Sequence, residues 1–349
     1  MMKQMKWTGL ILAAMMVFLA ACGGGNNSNN SGNNKEASEQ ASTNTNANAN
    51  AGTNTASEDT AERTIKHALG ETKITGTPKK VVVLEWTYAE DLIALGVQPT
   101  GVADVKGYGE WYGAIDPKLD ATVVDVGTRQ EPSIETITSL DPDLIIGVSF
   151  RHEAIYDQLS AIAPTLIFNP YPEEGGLDQY SEMEQTFSAI ADALGKKSEG
   201  EKVLADLHTF YDDSKAKLAS AGKEGQEIVF TQAWTNEGVA TFRLFTDNSM
   251  AMAILAKIGL KNAHQDNAFQ QYGYSETDIE GLTKTPNASV LYTTSATDTV
   301  FSELLPKNEV YKNLNFAKEN RVYDMKGIWP FGGPLSAKLL VERTLEALG

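Results

Sequence analysis

The chain has 349 residues, 42% hydrophobic and 21% charged, a globular composition long enough for two domains or one large one. Its formal charge of -17 at pH 7 repels nucleic acid and anionic headgroups, so any basic site must be local. The single cysteine, Cys22, excludes an internal disulfide framework and a thiolate metal cage.

Lys3 and Lys6 precede an apolar run that reaches Ala20, and small residues then lead into Cys22. This order predicts a secretory signal peptide over residues 1–21. Leu19-Ala20-Ala21-Cys22 resembles the bacterial lipobox, which implies that Cys22 is diacylated and becomes the mature N-terminus. Two acyl chains suffice for stable anchoring, whereas the apolar run is short for a membrane span. The expected location is the extracytoplasmic face of the bacterial cell membrane. Residues 22–60 are built from Gly, Asn, Ser, Thr and Ala and carry too little bulky apolar surface to offset chain entropy. They read as a disordered stalk with a reach of about 35 Å.

Beyond residue 61 short β-branched runs alternate with amphipathic stretches. Strands are predicted at 80–85, 122–126, 143–148 and 165–168. Helices between them fall at 89–95, stopped by Gly96, at 133–140, broken by Asp141-Pro142, and at 152–162. Such alternation implies a parallel sheet covered on both faces. Helices follow over 180–194 and 196–219, the second keeping Leu207, Tyr211 and Leu218 on one face. Strands at 227–230, 241–245, 289–292 and 321–324 come next, with helices at 249–258 and 336–348. The fold class is α/β: two Rossmann-like α/β lobes, 61–195 and 223–349, joined by one long connecting helix over 196–222, with the ligand cleft between the lobes.

No Gly-x-Ser-x-Gly elbow, phosphate loop, His-Glu-x-x-His or dinucleotide fingerprint is present, so no catalytic residue is assigned and the chain is not read as an enzyme. The four histidines, His67, His152, His208 and His264, lack metal-ligand spacing, and no metal site or cofactor is expected. The segment from Val126 to Glu135 carries Arg129-Gln130-Glu131-Pro132-Ser133-Ile134-Glu135, and Asp141-Pro142-Asp143-Leu144-Ile145 follows. Together with the Pro78-Lys79-Lys80-Val81-Val82 opening and the closing Val322-Tyr323, it resembles the substrate-binding proteins of iron–siderophore and cobalamin ABC importers of the long-hinge-helix class.

That resemblance implies a monomeric receptor that captures a ferric siderophore and hands it to ABC permease subunits. It places ligand-contacting arginines at Arg129 and Arg151, each just past a predicted strand, two of only six arginines in the chain. Planar guanidinium forks could clamp carboxylates bidentately. The competing reading is that each arginine pairs with a neighbouring carboxylate. Arg243, Trp234 and Trp329 are expected from the opposite wall, and Trp86 and Tyr88 follow the first strand; core packing is the alternative for each aromatic. Lys326 is the nearest base to the final strand, where some citrate-siderophore receptors carry arginines, which favours a mixed citrate–hydroxamate ligand over a heavily carboxylated one. Glu153 and Glu276, each read as opening a helix, are implied to meet the permease, although the helix dipole alone would favour a glutamate there. A haem or cobalamin receptor of the same fold is the alternative ligand reading; an exported lipoprotein hydrolase lacks a nucleophile–base signature.

Overall fold

The computed structural model describes residues 62–266 and 268–349; the predicted signal peptide, Cys22 and the stalk lie outside them. The first ordered element is one the sequence does not announce. An antiparallel hairpin, β1 (Glu62–His67) and β2 (Gly70–Thr75), buries only Ile65 and Ile74 among alternating charged residues. It ties back to the body through Ala68 N–H to Ile167 O at 2.7 Å and Thr72 Oγ1–H to Thr165 O at 2.9 Å.

The chain continues through β3 (Val81–Val83), α1 (Trp86–Ala94), β4 (Gly101–Val102), α2 (Val105–Trp111), β5 (Val124–Asp125) and α3 (Ile134–Ser139). Next come β6 (Leu144–Val148), α4 (Ser149–His152), α5 (Tyr156–Ser160) and β7 (Thr165–Phe168). Strands β3 to β7 form one parallel sheet in the order β5-β4-β3-β6-β7. Every residue of β3, β6 and β7 is buried, as a sheet covered on both faces requires. The helix predicted at 152–162 begins earlier, at Ser149, and is interrupted by a 3₁₀ turn over Glu153–Ile155.

Helices α6 (Gln179–Ala193) and α7 (Lys197–Ser220) follow, and α7 runs 24 residues, about 36 Å at 1.5 Å per residue. Then come β8 (Glu227–Asn236), β9 (Val239–Phe245), α8 (Met250–Lys257), β10 (Lys261–Asn262), β11 (Tyr274–Thr277), α9 (Ile279–Thr283) and β12 (Ser289–Thr293). Helices α10 (Glu309–Asn313) and α11 (Asn315–Lys318), strand β13 (Val322–Asp324) and helix α12 (Pro334–Leu348) complete the chain. The second sheet has the order β11-β9-β8-β12-β13 with β10 added to β8. It is mixed: β8, β9 and β11 pair antiparallel, while β12 runs parallel to β8 and β13. The strand predicted at 227–230 runs on to Asn236, so that Trp234 lies inside the β8–β9 hairpin, which closes through Glu237 and Gly238 at φ 49° and 82°. One sequence expectation is corrected here. Glu276 does not open a helix: it lies in β11 opposite Arg243, and the next helix is capped by Asp278.

Helix α12 couples the two cores, with Leu335 and Leu339 packed on the first and Leu340 and Val341 buried in the second. Its start is held by Glu90 of α1, a fully buried carboxyl accepting from Gly333 N–H at 2.8 Å, Ser336 N–H at 2.6 Å and Ser336 Oγ–H at 2.7 Å. Beside it Asp91 is buried with Oδ1 unpartnered among the described residues. Burial raises the pKa of both carboxyls, against which the donors to Glu90 pull down. Gly333 leaves room for Asp91 at this junction, since a Cβ there would sit 2.3 Å from Asp91 Oδ1.

Candidate functional site

In the first sheet β3 feeds β4 on one side and β6 feeds β7 on the other, so the exits of β3 and β6 diverge. A crevice at such a switch point is where open α/β sheets bind ligands. Glu85 leaves β3 at this crevice, Arg129 follows β5, and Arg151 lies in α4 after β6. Facing them are Arg243 of β9, Tyr272 and Tyr274 around the start of β11, and Trp329 and Phe331 between β13 and α12. The residues enclose a cavity of about 370 Å³ whose lining also includes Thr87, Tyr88, Phe150, Pro170 and Tyr171. That volume suits a small ligand.

Glu85 is the centre of the site. Arg129 Nη1 donates to its Oε1 at 2.7 Å and Arg151 Nη1 donates to its Oε2, the three side chains being 13%, 19% and 8% exposed for Arg129, Arg151 and Glu85. Oε1 also accepts Trp86 N–H at 3.1 Å, which makes Glu85 the N-cap of α1. The Arg129 guanidinium lies 3.5 Å from the centre of the Trp86 ring, and that of Arg151 lies 4.4 Å from Phe150. Arg243 donates to Gln232 Oε1 at 3.1 Å, stands 3.8 Å from Glu276, and stacks on Tyr274 and Trp234 at 4.5 and 5.0 Å. Between the cations, Tyr171, Tyr272, Phe331 and Trp329 form a run of edge-on ring contacts, Tyr171 meeting Phe331 at 6.0 Å.

The loop carrying Arg129 is pinned from below. It turns through Gly127 at φ 98°, closes with Ser133 N–H on Val126 O at 2.7 Å, and is buttressed by fully buried His152. Val148 N–H donates to His152 Nδ1 at 3.0 Å, so Nε2 carries the proton and donates to Arg129 O at 2.9 Å. Burial holds this imidazole below its ordinary pKa, in the neutral form that both hydrogen bonds require. Gly147 makes room for the ring, because a Cβ there would lie 2.8 Å from Nδ1.

Residues 81–328 match the model of a family described as periplasmic binding protein. The chain belongs to the periplasmic binding protein family. It is therefore a binding protein, not an enzyme. It is 32% identical over 323 residues to the Fe(3+)-citrate-binding protein YfmC of Bacillus subtilis, covering 91% of this chain and 90% of that one. Among solved structures it is similar to the Fe3+–Desferal-bound siderophore-binding protein FhuD of Vibrio cholerae, at 25% identity and a TM-score of 0.69, over 77% of this chain and 97% of that one. It is also similar to Staphylococcus aureus SirA complexed with staphyloferrin B, at 25% identity and a TM-score of 0.60, over 82% and 98% of the two chains. These neighbours share the two-lobe α/β architecture.

Of the residues singled out in the sequence of this periplasmic binding protein, Arg129, Arg151, Arg243, Tyr88 and Trp329 line the cavity. Trp86 and Trp234 do not. Trp86 is 3% exposed and packs beneath Arg129, its indole N–H donating to Ala103 O at 3.2 Å and Asp104 O at 3.1 Å. Trp234 flanks Arg243 on the hairpin. Glu153 and Glu276 are exposed, the first in the 3₁₀ turn after α4. Sequence reasoning missed Glu85, the buttress His152 and the aromatics Phe150, Tyr171, Tyr272 and Tyr274. A carboxylate closing the buried run Val81-Val82-Val83-Leu84 is the signal that marks Glu85. Among the described residues no cluster of three or more His, Asp or Glu could hold a metal ion.

Proposed function

We propose that the protein captures a ferric siderophore of citrate or mixed citrate–hydroxamate type outside the cytoplasmic membrane and delivers it to the permease of an ABC importer. The observation that carries this reading is the convergence of Arg129, Arg151 and Arg243 on one aromatic-walled cavity in a chain of net charge -17. Iron stays in the hard oxygen shell of its chelator, so the protein supplies no metal ligand. Guanidinium forks meet the chelate's carboxylates, which lysines do less well, and aromatic faces pack its carbon frame. The similarity to an Fe(3+)-citrate-binding protein and to a Desferal-bound one supports the same ligand class. In this reading Cys22 carries the lipid anchor, the residues to 60 tether the binding unit near the membrane, and exposed Glu153 and Glu276 meet the permease.

Tryptophan fluorescence tests the assignment, with Trp329 lining the cavity and Trp86 beneath Arg129 as reporters. Ferric citrate or a ferric trihydroxamate is expected to quench in a saturable manner, and free ferric ion, zinc and manganese are not. Saturable quenching by haem or cobalamin alone refutes the proposal.

A further inference from the structure

Resting on that reading of the ligand, we infer that Glu85 is a resident counter-anion that an incoming carboxylate replaces on the two guanidinium forks, and that it sets the charge preference of the cleft. One carboxyl group serves two arginines, one oxygen to each, in a site where all three side chains are at least four-fifths buried. Neither guanidinium makes another hydrogen bond among the described residues, and Arg129 Nε is buried without a partner. Without Glu85 the empty cleft would hold two like charges side by side in a poorly solvated crevice, which is costly. With it, the forks are preorganised at the spacing of a carboxylate, the shape their ligand would present.

An anionic chelate that enters brings its own carboxylate into this pair. Glu85 then becomes a like charge against the ligand, and the site cannot keep both anions on the same N–H groups without repulsion. A displaced Glu85 is not left stranded. Its Oε1 already accepts Trp86 N–H at 3.1 Å, and the first turn of α1 favours a negative group. Among the described residues no other carboxylate pairs with Arg129 or Arg151, and Glu276 sits across the cleft beside Arg243. A ferric trihydroxamate, whose three hydroxamates cancel the iron's charge, has no carboxylate to exchange and binds with Glu85 in place. Glu85 thus taxes anionic chelates and not neutral ones.

The decisive comparison is the affinity ratio, ferric citrate over a neutral ferric trihydroxamate, in the parent, Glu85→Gln and Glu85→Asp proteins. Glutamine keeps an acceptor for Trp86 N–H and for one arginine while removing the charge. It is expected to tighten ferric citrate roughly tenfold relative to the trihydroxamate, the size of one charge-assisted contact. Aspartate, shorter and still charged, should move the ratio in the same direction by less, and it carries the test if Glu85→Gln folds poorly. A ratio that stays at the parent value, or ferric citrate binding that weakens in Glu85→Gln, overturns the inference and makes Glu85 a fixed pin for the arginines. Failure of the parent to bind either chelate instead overturns the ligand assignment on which the inference rests.

Discussion

The junction at Glu90 makes a quantitative claim about stability. In Glu90→Ala three donors at the start of α12, two backbone N–H groups and the Ser336 hydroxyl, lose their shared acceptor in a fully buried place. Each orphaned donor costs about 1–3 kcal/mol, and relief from burying a carboxyl offsets part of the sum. A net loss of about 3–5 kcal/mol is expected, close to what removing one partner of a buried ion pair costs. At about 2–4 °C per kcal/mol for a chain of this size class, the melting midpoint should fall by roughly 10 °C. Ser336→Ala removes only the hydroxyl donor and should cost about 1 kcal/mol. Glu90→Gln should fall between them, since its amide accepts from some donors and confronts the others. The assay is thermal unfolding of ligand-free protein followed by circular dichroism, so that bound chelate does not mask the change. A Glu90→Ala midpoint within about 2 °C of the parent, or a Ser336→Ala loss equal to it, refutes the reasoning.

Arg129→Ala and Arg151→Ala should each weaken ferric citrate binding roughly ten- to a hundredfold, with lysine restoring only part, as isothermal titration would show. Burial pushes the Glu182 carboxyl up to about 7 from an ordinary 4.5, opposed by the Thr186 hydroxyl donating at 2.5 Å. The native state therefore holds an extra proton between those values, and this contribution is full below about 4.5 and lost as pH rises through about 7. The unfolding free-energy difference between parent and Glu182→Gln should shift against the parent from pH 5 to pH 8, by roughly 2–3 kcal/mol. Glu153→Ala should abolish uptake by cells while leaving chelate affinity unchanged. Glu276→Ala should alter both, because Glu276 stands 3.8 Å from Arg243 of the cavity wall.

What the sequence conveyed follows from the range of the interactions involved. The helices predicted at 180–194 and 196–219 lie within one residue of α6 and α7, because their apolar periodicity is local and Gly195 and Gly222, both at positive φ, punctuate it. The buried strands β3, β6 and β7 are unbroken apolar runs or nearly so, and were equally legible. Strand β4 is two residues long and offers no run to read. Glu276 misleads because the sequence Ser275-Glu276-Thr277-Asp278 looks like a helix start, and the cap is Asp278, two residues later. The arginines were legible from their place after strands. Their partner was not, since Glu85 lies 44 residues from Arg129 and 66 from Arg151, and only the sheet order brings the three together.

Helix α7 spans about 36 Å without a break, and α12 is packed on both cores and held by Glu90 at its start. A body so braced should swing little when its cleft fills, because a continuous helix cannot absorb the dihedral changes of a loop hinge. On the proposed delivery to a permease, empty and loaded receptors should then present nearly the same outline to it. Empty receptor should occupy the transporter as an inhibitor of its own loaded form, so that uptake falls when receptor is overproduced and chelate is scarce. The cell's receptor-to-permease ratio would then be a control on the rate of iron entry.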